Sequence, residues 1–426
     1  MGTEALNLLW TVCGAGLSLA SLPGTLELAL LTSGGLLPRR GDAATERRGD
    51  GATERRGDAA TERRGDAAKG QRLAVVVPAH NESSGIARCV RSLLACERGE
   101  HSFAVVVVAD NCEDDTAEQA AAAGARVLVR NDAERRGKGY ALDFAFQTVL
   151  AEGFDAALVV DADTIVEPNF IVEFADLFAR GADAAQCRYL VANSDASVRT
   201  RLMNVALLAF NVLRPRGRDR WGLSAGLLGN GFGLSAETLR AIPYDAVSVV
   251  EDLEYHLRLV RAGRRVRFAD GTTVRADMPT GGRGARTQRA RWEGGRFRML
   301  GQVGPALLRD VAGGRLRLLE PLFELLLMPL AFHVLLLLLA LAVPFGPARG
   351  YAAAGLGLVL AHILVALRVG GGGWRDLAAL ASAPFYVAWK LLLIPAMLRT
   401  ARRDAEWVRT ERAVPLGGNP PGANGK

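Results

Sequence analysis

Residues 156–163 read Ala156-Ala157-Leu158-Val159-Val160-Asp161-Ala162-Asp163. Five apolar residues in a row have the length and composition of a strand buried on both faces. Two carboxylates then follow, two residues apart, where such a strand leaves the core. A strand without polar alternation belongs in a largely parallel sheet covered by helices on both sides. In such sheets ligands sit beyond the carboxyl ends of the strands. The stretch therefore points to a fold and to the place of a site.

Similar runs lie upstream at Leu73–Val77, Ala104–Val108 and Arg126–Val129. Helical patterns separate or follow them at Gly85–Cys96, Thr116–Ala123, Tyr140–Leu150 and Asn169–Ala179. This alternation predicts an α/β domain over residues 71–295 with a mostly parallel sheet.

The flanks differ. Leu6–Leu31 is an apolar stretch long enough to cross a bilayer, interrupted by Pro23 and Glu27. The leader Met1-Gly2-Thr3-Glu4 carries no positive charge, so residues 1–38 read as a retained anchor rather than a secretory signal. Arg39 and Arg40 place the following chain inside and the N-terminus outside. Residues 39–70 are four octads, RRGDAATE, RRGDGATE, RRGDAATE and RRGDAAKG, without hydrophobic periodicity. They read as a disordered linker. Residues 296–320 mix Arg296, Arg298, Arg309, Arg315 and Arg317 with Leu and Val, which suits an amphipathic segment on a membrane surface. Within 321–398, Pro321–Phe345 and Tyr351–Val369 are predicted spans. Leu377–Leu398 holds Pro384, Lys390 and Pro395 and is predicted to be re-entrant or interfacial. That leaves the arginine-rich tail, 399–426, in the cytoplasm.

The chain has 426 residues and a formal charge of +7, carried almost wholly by arginine. Lysine occurs only at Lys69, Lys138, Lys390 and Lys426, and with the Ala and Gly content this suggests a GC-rich bacterial genome. The arginines flank apolar segments, which favours a membrane partner. Aromatic residues are not interleaved on a basic face, which argues against nucleic acid. The cysteines, Cys13, Cys89, Cys96, Cys112 and Cys187, show no CxxC spacing, so reduced thiols in a cytoplasmic domain are expected.

Six clusters carry candidate chemistry. Val75 to Ser83 runs from strand through turn to helix, with Pro78, His80 and Glu82 at an edge that can hold a base and ribose. Asp110 ends a strand and could accept from a base N–H, while Asp114 and Asp115 suit a helix cap. Arg135-Arg136-Gly137-Lys138-Gly139 sets a cation among small residues, as a phosphate contact requires. Of Asp161 and Asp163, one can face the nucleotide while the other holds Mg²⁺ or Mn²⁺. Glu251-Asp252 offers a carboxylate to take a proton from a sugar hydroxyl. In Gln288-Arg289-Ala290-Arg291-Trp292, arginine can offset diphosphate charge and tryptophan can support a sugar face. Each cluster also has a plain structural reading: a strand-to-helix loop, a solvated turn, an acidic helix start, or an Arg/Trp belt at a membrane.

In order, these clusters resemble the family 2 glycosyltransferases of the GT-A fold. The motifs DxD, ED and Q(Q/R)xRW of cellulose, chitin and hyaluronan synthases are matched by Asp161-Ala162-Asp163, Glu251-Asp252 and Gln288-Arg289-Ala290-Arg291-Trp292. The resemblance implies a uridine-diphosphate sugar donor, a divalent cation, Mg²⁺ or Mn²⁺, and inversion at the anomeric carbon. It maps Glu82 and Asp110 to the nucleotide pocket, Asp161 and Asp163 to nucleotide and metal, and Asp252 to the general base beside Glu251. Arg291 and Trp292 map to the diphosphate and acceptor end, and Gly229-Asn230-Gly231 lies where the acceptor approaches. Fewer spans are counted here than in the large polymer synthases. The expected role is sugar transfer in envelope or extracellular polysaccharide synthesis, at a bacterial inner membrane with the catalytic domain cytoplasmic. Partners would be a saccharide or lipid-linked acceptor and other synthesis or export proteins. The alternatives are single-sugar transfer to a membrane lipid and, in another class, an inactive scaffold or adhesion protein displaying the Arg-Gly-Asp repeats.

Overall fold

The computed structural model describes residues 3–38, 70–246, 248, 250–280, 282–326, 330–385 and 388, with backbone alone at 282–293, 296, 297 and 326. The octads from residue 39 to 69 and the tail 399–426 lie outside the described residues.

The chain opens with helix α1 (Thr3–Leu36). The α/β domain begins with β1 (Arg72–Ala79), α2 (Ser83–Leu94), β2 (Ser102–Asp110), α3 (Thr116–Ala122), β3 (Arg126–Arg130), α4 (Lys138–Ala151) and β4 (Ala156–Val159). It continues through β5 (Thr164–Val166), α5 (Phe170–Ala179) and β6 (Ala184–Val191). A helical insertion follows, made of α6 (Val198–Leu207), a π turn (Leu208–Leu213) and α7 (Arg214–Trp221). Then come β7 (Phe232–Ser235), α8 (Ala236–Ala241), α9 (Glu251–Arg261) and β8 (Val266–Ala276).

The strands form one sheet in the order β3-β2-β1-β4-β7-β6-β8-β5. β1 lies parallel to β2 and β4, and β2 parallel to β3. β7 runs antiparallel to β4 and β6, β8 parallel to β6, and β5 antiparallel to β8. The sheet is thus mixed, its parallel half being the half with apolar runs. Those runs are apolar because both faces are covered. Leu73, Val75 and Val77 enter one core with Leu158, Ile86 and Phe174; Ala74 and Val76 enter the other with Val159, Leu142 and Phe146. The two-residue period of a strand sends neighbours to opposite cores. All four expected strands and all four expected helices are present, with ends shifted by a residue or two.

The insertion between β6 and β7 docks the domain onto the apolar helices. Trp221 Nε1 donates to the Leu30 carbonyl at 2.8 Å. Gly217 lies so close to α1 that a Cβ would stand 2.4 Å from the Leu31 oxygen. Glu27, an unfavourable residue in an apolar helix, is paired with Arg214 at 2.6 Å and Arg218 at 3.2 Å. Arg218 also meets Glu320 at 2.5 Å and Glu324 at 3.2 Å.

Downstream, α10 (Gly282–Ala312) leads through a 3₁₀ turn to α11 (Leu319–Leu326), α12 (Leu330–Ala342), α13 (Gly346–Gly370) and α14 (Trp374–Ala379). The segment 296–320 has a protein partner along one face, because Met299 and Leu307 pack with Leu257 of α9. Leu308 and Leu316 stay exposed. Among the described residues, α1 and α13 are long and apolar enough to cross a membrane. The expected span Pro321–Phe345 is bent within: Leu316–Leu325 and Leu330–Ala342 meet at 82°, as in a broken span or a re-entrant loop. Glu320 and Glu324 also tie α11 to Arg218 rather than to lipid. Of the segment Leu377–Leu398, residues 386, 387 and 389–398 lie outside the described residues. All five cysteines are free, and Cys89, Cys96 and Cys187 are buried.

Candidate active site

The carboxyl ends of β2, β1 and β4 lie side by side, with Pro78 paired to Val108 and Val76 to Val159. The chain leaves β1 and β2 through Asn81 (φ 55°) and Asn111 (φ 51°), a left-handed conformation that asparagine tolerates. His80 Nδ1 donates to the Asp110 carbonyl at 2.8 Å, fastening the two strand ends together. Glu82 precedes α2, and its backbone N–H donates to Thr116 Oγ1 at 2.8 Å. The Asp110 carboxylate is buried, and its Oδ1 receives Arg130 Nη1 at 2.6 Å. Arg130 also bonds Asp132 at 3.0 Å. One oxygen of the expected base acceptor is therefore held by a cation.

The second group gathers at the end of β4. Lys138, the first residue of α4, extends its ammonium between Asp161 Oδ1 and the Gly229 carbonyl, each at 2.5 Å. The Asp161 backbone N–H donates to Asn230 Oδ1 at 3.1 Å, and Asn230 Nδ2 donates to Thr164 Oγ1 at 2.9 Å. Gly229 (φ 77°) and Gly231 (φ 66°) occupy the region that L side chains avoid. Asp252 sits against this loop, in the first turn of α9 beside Glu251. The Asp252 Oδ1 accepts the Leu253 N–H at 2.8 Å.

These charges govern one another. Burial pushes the Glu251 carboxyl up to about 7; Lys138 opposes the rise and Asp252 adds to it. Burial also raises the Asp252 carboxyl, countered by the Leu253 N–H and by Lys138. Burial works against the Lys138 ammonium, but Asp161, Glu251 and Asp252 outweigh it and hold its pKa above the ordinary lysine value. The outcome is one cation facing several carboxylates, two of them more basic than usual.

Asp163 is half-buried one residue beyond Ala162, and Thr164 Oγ1 donates to its Oδ1 at 3.4 Å. Among the described residues no three His, Cys, Asp or Glu side chains converge as a complete metal cage. Mg²⁺ and Mn²⁺ beside a diphosphate need only one or two protein carboxylates, with water and phosphate oxygens completing the shell. The hard, half-exposed carboxylate of Asp163 fits that requirement. Gln288, Arg289, Arg291 and Trp292 lie on the backbone of α10, and their side chains are outside the described residues.

One site residue escaped the sequence reading. Gln186, inside β6, donates from Nε2 to the carbonyls of Asn230 at 2.8 Å and Gly231 at 3.0 Å. Its Oε1 accepts the Leu228 N–H at 2.9 Å. A polar residue within Ala184-Ala185-Gln186-Cys187 was the available signal.

Residues 71–295 match the family model described as Glycosyltransferase like family 2. The chain belongs to this family. The glycosyltransferase is 23% identical over 233 residues to the Probable glycosyltransferase YdaM of Bacillus subtilis, a match covering 53% of this chain and 55% of that protein. It is 40% identical over 77 residues to the Low-salt glycan biosynthesis hexosyltransferase Agl6 of Haloferax volcanii, covering 18% of each. The chain thus spans 55% and 18% of the lengths of these curated relatives. Among solved structures it is similar to the mannosyltransferase PcManGT from Pyrobaculum calidifontis in complex with GDP-Man and Mn²⁺. That match is 18% identical, covers 85% of this chain and 97% of the other, and has a TM-score of 0.49. Glucosyl-3-phosphoglycerate synthase from Mycobacterium tuberculosis, in complex with Mg²⁺ and UDP, is 25% identical, with 56% and 84% covered and a TM-score of 0.37. The mixed, mostly parallel sheet with its covering helices spans the residues that match the family, and α1 and α13 fit association with a membrane.

Proposed function

We propose that this glycosyltransferase moves a hexose from a uridine-diphosphate sugar to an acceptor hydroxyl, with inversion, at the cytoplasmic face of a bacterial inner membrane. The observation that carries the reading is the meeting of Asp252, the Gly229 loop, Lys138 and Asp161 at one sheet edge.

The acceptor oxygen attacks the anomeric carbon, and the bond from that carbon to the diphosphate oxygen breaks. Asp252 takes the acceptor proton, and the electron pair leaves with the nucleoside diphosphate. A carboxylate with a raised pKa accepts a proton more readily than an ordinary one. Lys138 holds positive charge beside the leaving diphosphate, and Arg289 and Arg291 of α10 are assigned the same task. Gln288 and Trp292 are assigned to the acceptor end, with Trp292 as a platform for a sugar face. Pro78, His80, Glu82 and Asp110 are assigned to the nucleotide. Asp163 would hold Mg²⁺ or Mn²⁺, which supplies charge neutralisation to the diphosphate when bound.

Envelope or extracellular polysaccharide is the proposed destination of the sugar, with export proteins as partners. Single transfer to a membrane lipid has a specific observation in its favour. The chain runs from Trp221, bonded to α1, to Gly229, against Asp252, in eight residues. That length reaches at most about 28 Å. The proposed base therefore stands within one short loop of a candidate membrane helix.

Purified full-length protein, given a panel of nucleotide sugars, should release nucleoside diphosphate with one of them in the presence of acceptor. Mass spectrometry of the product separates polymer from glycolipid. No release with any donor and acceptor would overturn the reading and revive the scaffold alternative.

A further inference from the structure

We infer that Gln186 is a positioning residue for the reaction: its buried amide sets the 228–231 loop, and the loop in turn places Lys138, Asp161 and the space beside Asp252. The catalytic consequence rests on the function proposed above; the placement of Lys138 does not.

Gln186 has no exposed surface, so it acts only through what it touches. Gly229 and Gly231 both turn with positive φ just before β7, and the backbone holds the loop at Gly231, whose N–H donates to the Val159 carbonyl at 3.0 Å and whose carbonyl accepts the Cys187 N–H at 2.8 Å. The amide adds to these backbone bonds and extends them to Leu228 and Asn230. Its nitrogen donates to the Asn230 and Gly231 carbonyls, and to that of Cys187 at 3.0 Å. Its oxygen accepts from Leu228. Loop and strand are thereby fixed on both sides of Gly229.

Three site groups then follow from the loop. The Gly229 carbonyl binds the Lys138 ammonium. The Asn230 side chain orients Asp161 through its backbone N–H. The Gly229 backbone lies against Asp252 Oδ2. Only a primary amide offers donors and an acceptor in one planar group of this reach. Glutamate keeps the acceptor for Leu228 but turns negative oxygen toward three carbonyls. Methionine keeps the volume and no strong bond. Asparagine keeps the amide on a stem one methylene shorter.

The test uses Gln186→Glu, Gln186→Met and Gln186→Asn in the full chain, with thermal unfolding to count folded protein. The first readout is acylation of Lys138 by an amine-selective reagent, followed by mass spectrometry. It is clean because the chain has only Lys69, Lys138, Lys390 and Lys426. Lys138 should be protected in the parent and react several-fold faster in folded Gln186→Glu, whether or not sugar is transferred. The second readout is turnover. A shift on the order of 1 Å at a reacting group costs up to about 100-fold, so kcat per folded molecule should fall about 10- to 100-fold, and the Kd for uridine diphosphate should rise as Lys138 and Asp161 lose their places. The acid limb of the pH–rate profile should also move upward as Lys138 loosens. Gln186→Asn should recover part of each. Folded variants with parental Lys138 reactivity would overturn the assignment, as would failure of all three variants to fold, which would make Gln186 a folding determinant alone. Changed Lys138 reactivity in an enzyme that transfers no sugar would uphold the placement and overturn the proposed function.

Discussion

Gly229 packs directly against the carboxylate of Asp252: a Cβ on Gly229 would stand 3.0 Å from Asp252 Oδ2. The loop backbone is therefore one wall of the space in which that carboxylate works. Gly229 also has φ 77°, so alanine there meets both strain and crowding. Gly229→Ala should destabilise the fold by about 1 kcal/mol. Displacing the carboxylate should lower transfer by up to about 100-fold. Affinity for uridine diphosphate, measured by calorimetry, should stay close to the parent. Parental transfer rates in Gly229→Ala would show that this wall is not part of the reacting geometry.

Asp252→Asn separates shape from proton transfer. Asparagine fills the same space and can still accept the Leu253 N–H, but it cannot take the acceptor proton. Transfer should fall by roughly 10²- to 10⁴-fold, the usual contribution of a general base. Donor binding should persist, because Glu82, Asp110 and Asp161 are assigned to the nucleotide. Glu251→Gln should cost less if Glu251 only tunes its neighbour. Loss of donor affinity in Asp252→Asn would move the residue into the nucleotide site.

The parallel half of the fold was legible because burial on both faces leaves unbroken apolar runs such as Ala74–Val77 and Ala156–Val160. The other half was not. β7 has four residues and includes Gly233, where Leu158 and Phe178 fill the space of a side chain. β6 and β8 lose register between Cys187 and Arg188, which breaks any simple period. The site divides in the same way. Asp161, Asp252 and the glycine loop announced themselves by motif, whereas Gln186 is one amide in an apolar strand. Glu27 looked like a flaw in a span because its partners lie at Arg214 and Arg218. The cation that holds the Asp110 carboxylate, Arg130, lies twenty residues away. Long-range partners of this kind leave no local signal.

Arg218 should be the least replaceable residue of the insertion. It is buried among Glu27, Glu320 and Glu324, and a Cβ on Gly226, two residues before the 228–231 loop, would lie 3.6 Å from its Nη1. Removing one member of a buried ion pair typically costs about 3–5 kcal/mol, because the partner charges stay behind. Arg218→Met should lower the unfolding temperature of detergent-solubilised protein and loosen the loop before Gly229. An unchanged unfolding temperature would mean that the carboxylates are neutral or solvated without Arg218.

Transfer should require a divalent cation and stop on chelation. Asp163→Ala removes one hard oxygen ligand, so it should raise the Mg²⁺ or Mn²⁺ concentration needed for half-maximal rate or abolish turnover. Metal titration of transfer by parent and variant measures this. Identical titrations would put the ion elsewhere.

The pH response should have opposite signs for rate and stability. Glu251 has its carboxyl raised by burial from the ordinary 4.5 to about 7, and Asp252 is raised for the same reason. Between those values the folded protein holds a proton that the unfolded chain has released. The unfolded state then binds fewer protons, so stability falls as pH rises through that window. Transfer should rise as pH rises, because protonated Asp252 cannot act as the base and burial raises its carboxyl too. Lys138 lowers both carboxyls, so Lys138→Met should carry the acid limb of the rate profile, and the fall in stability, to higher pH. Rate and thermal unfolding recorded from about pH 5 to about pH 8 would show both. If Lys138→Met left the acid limb in place, the carboxylates near Lys138 would not be the groups that limit transfer.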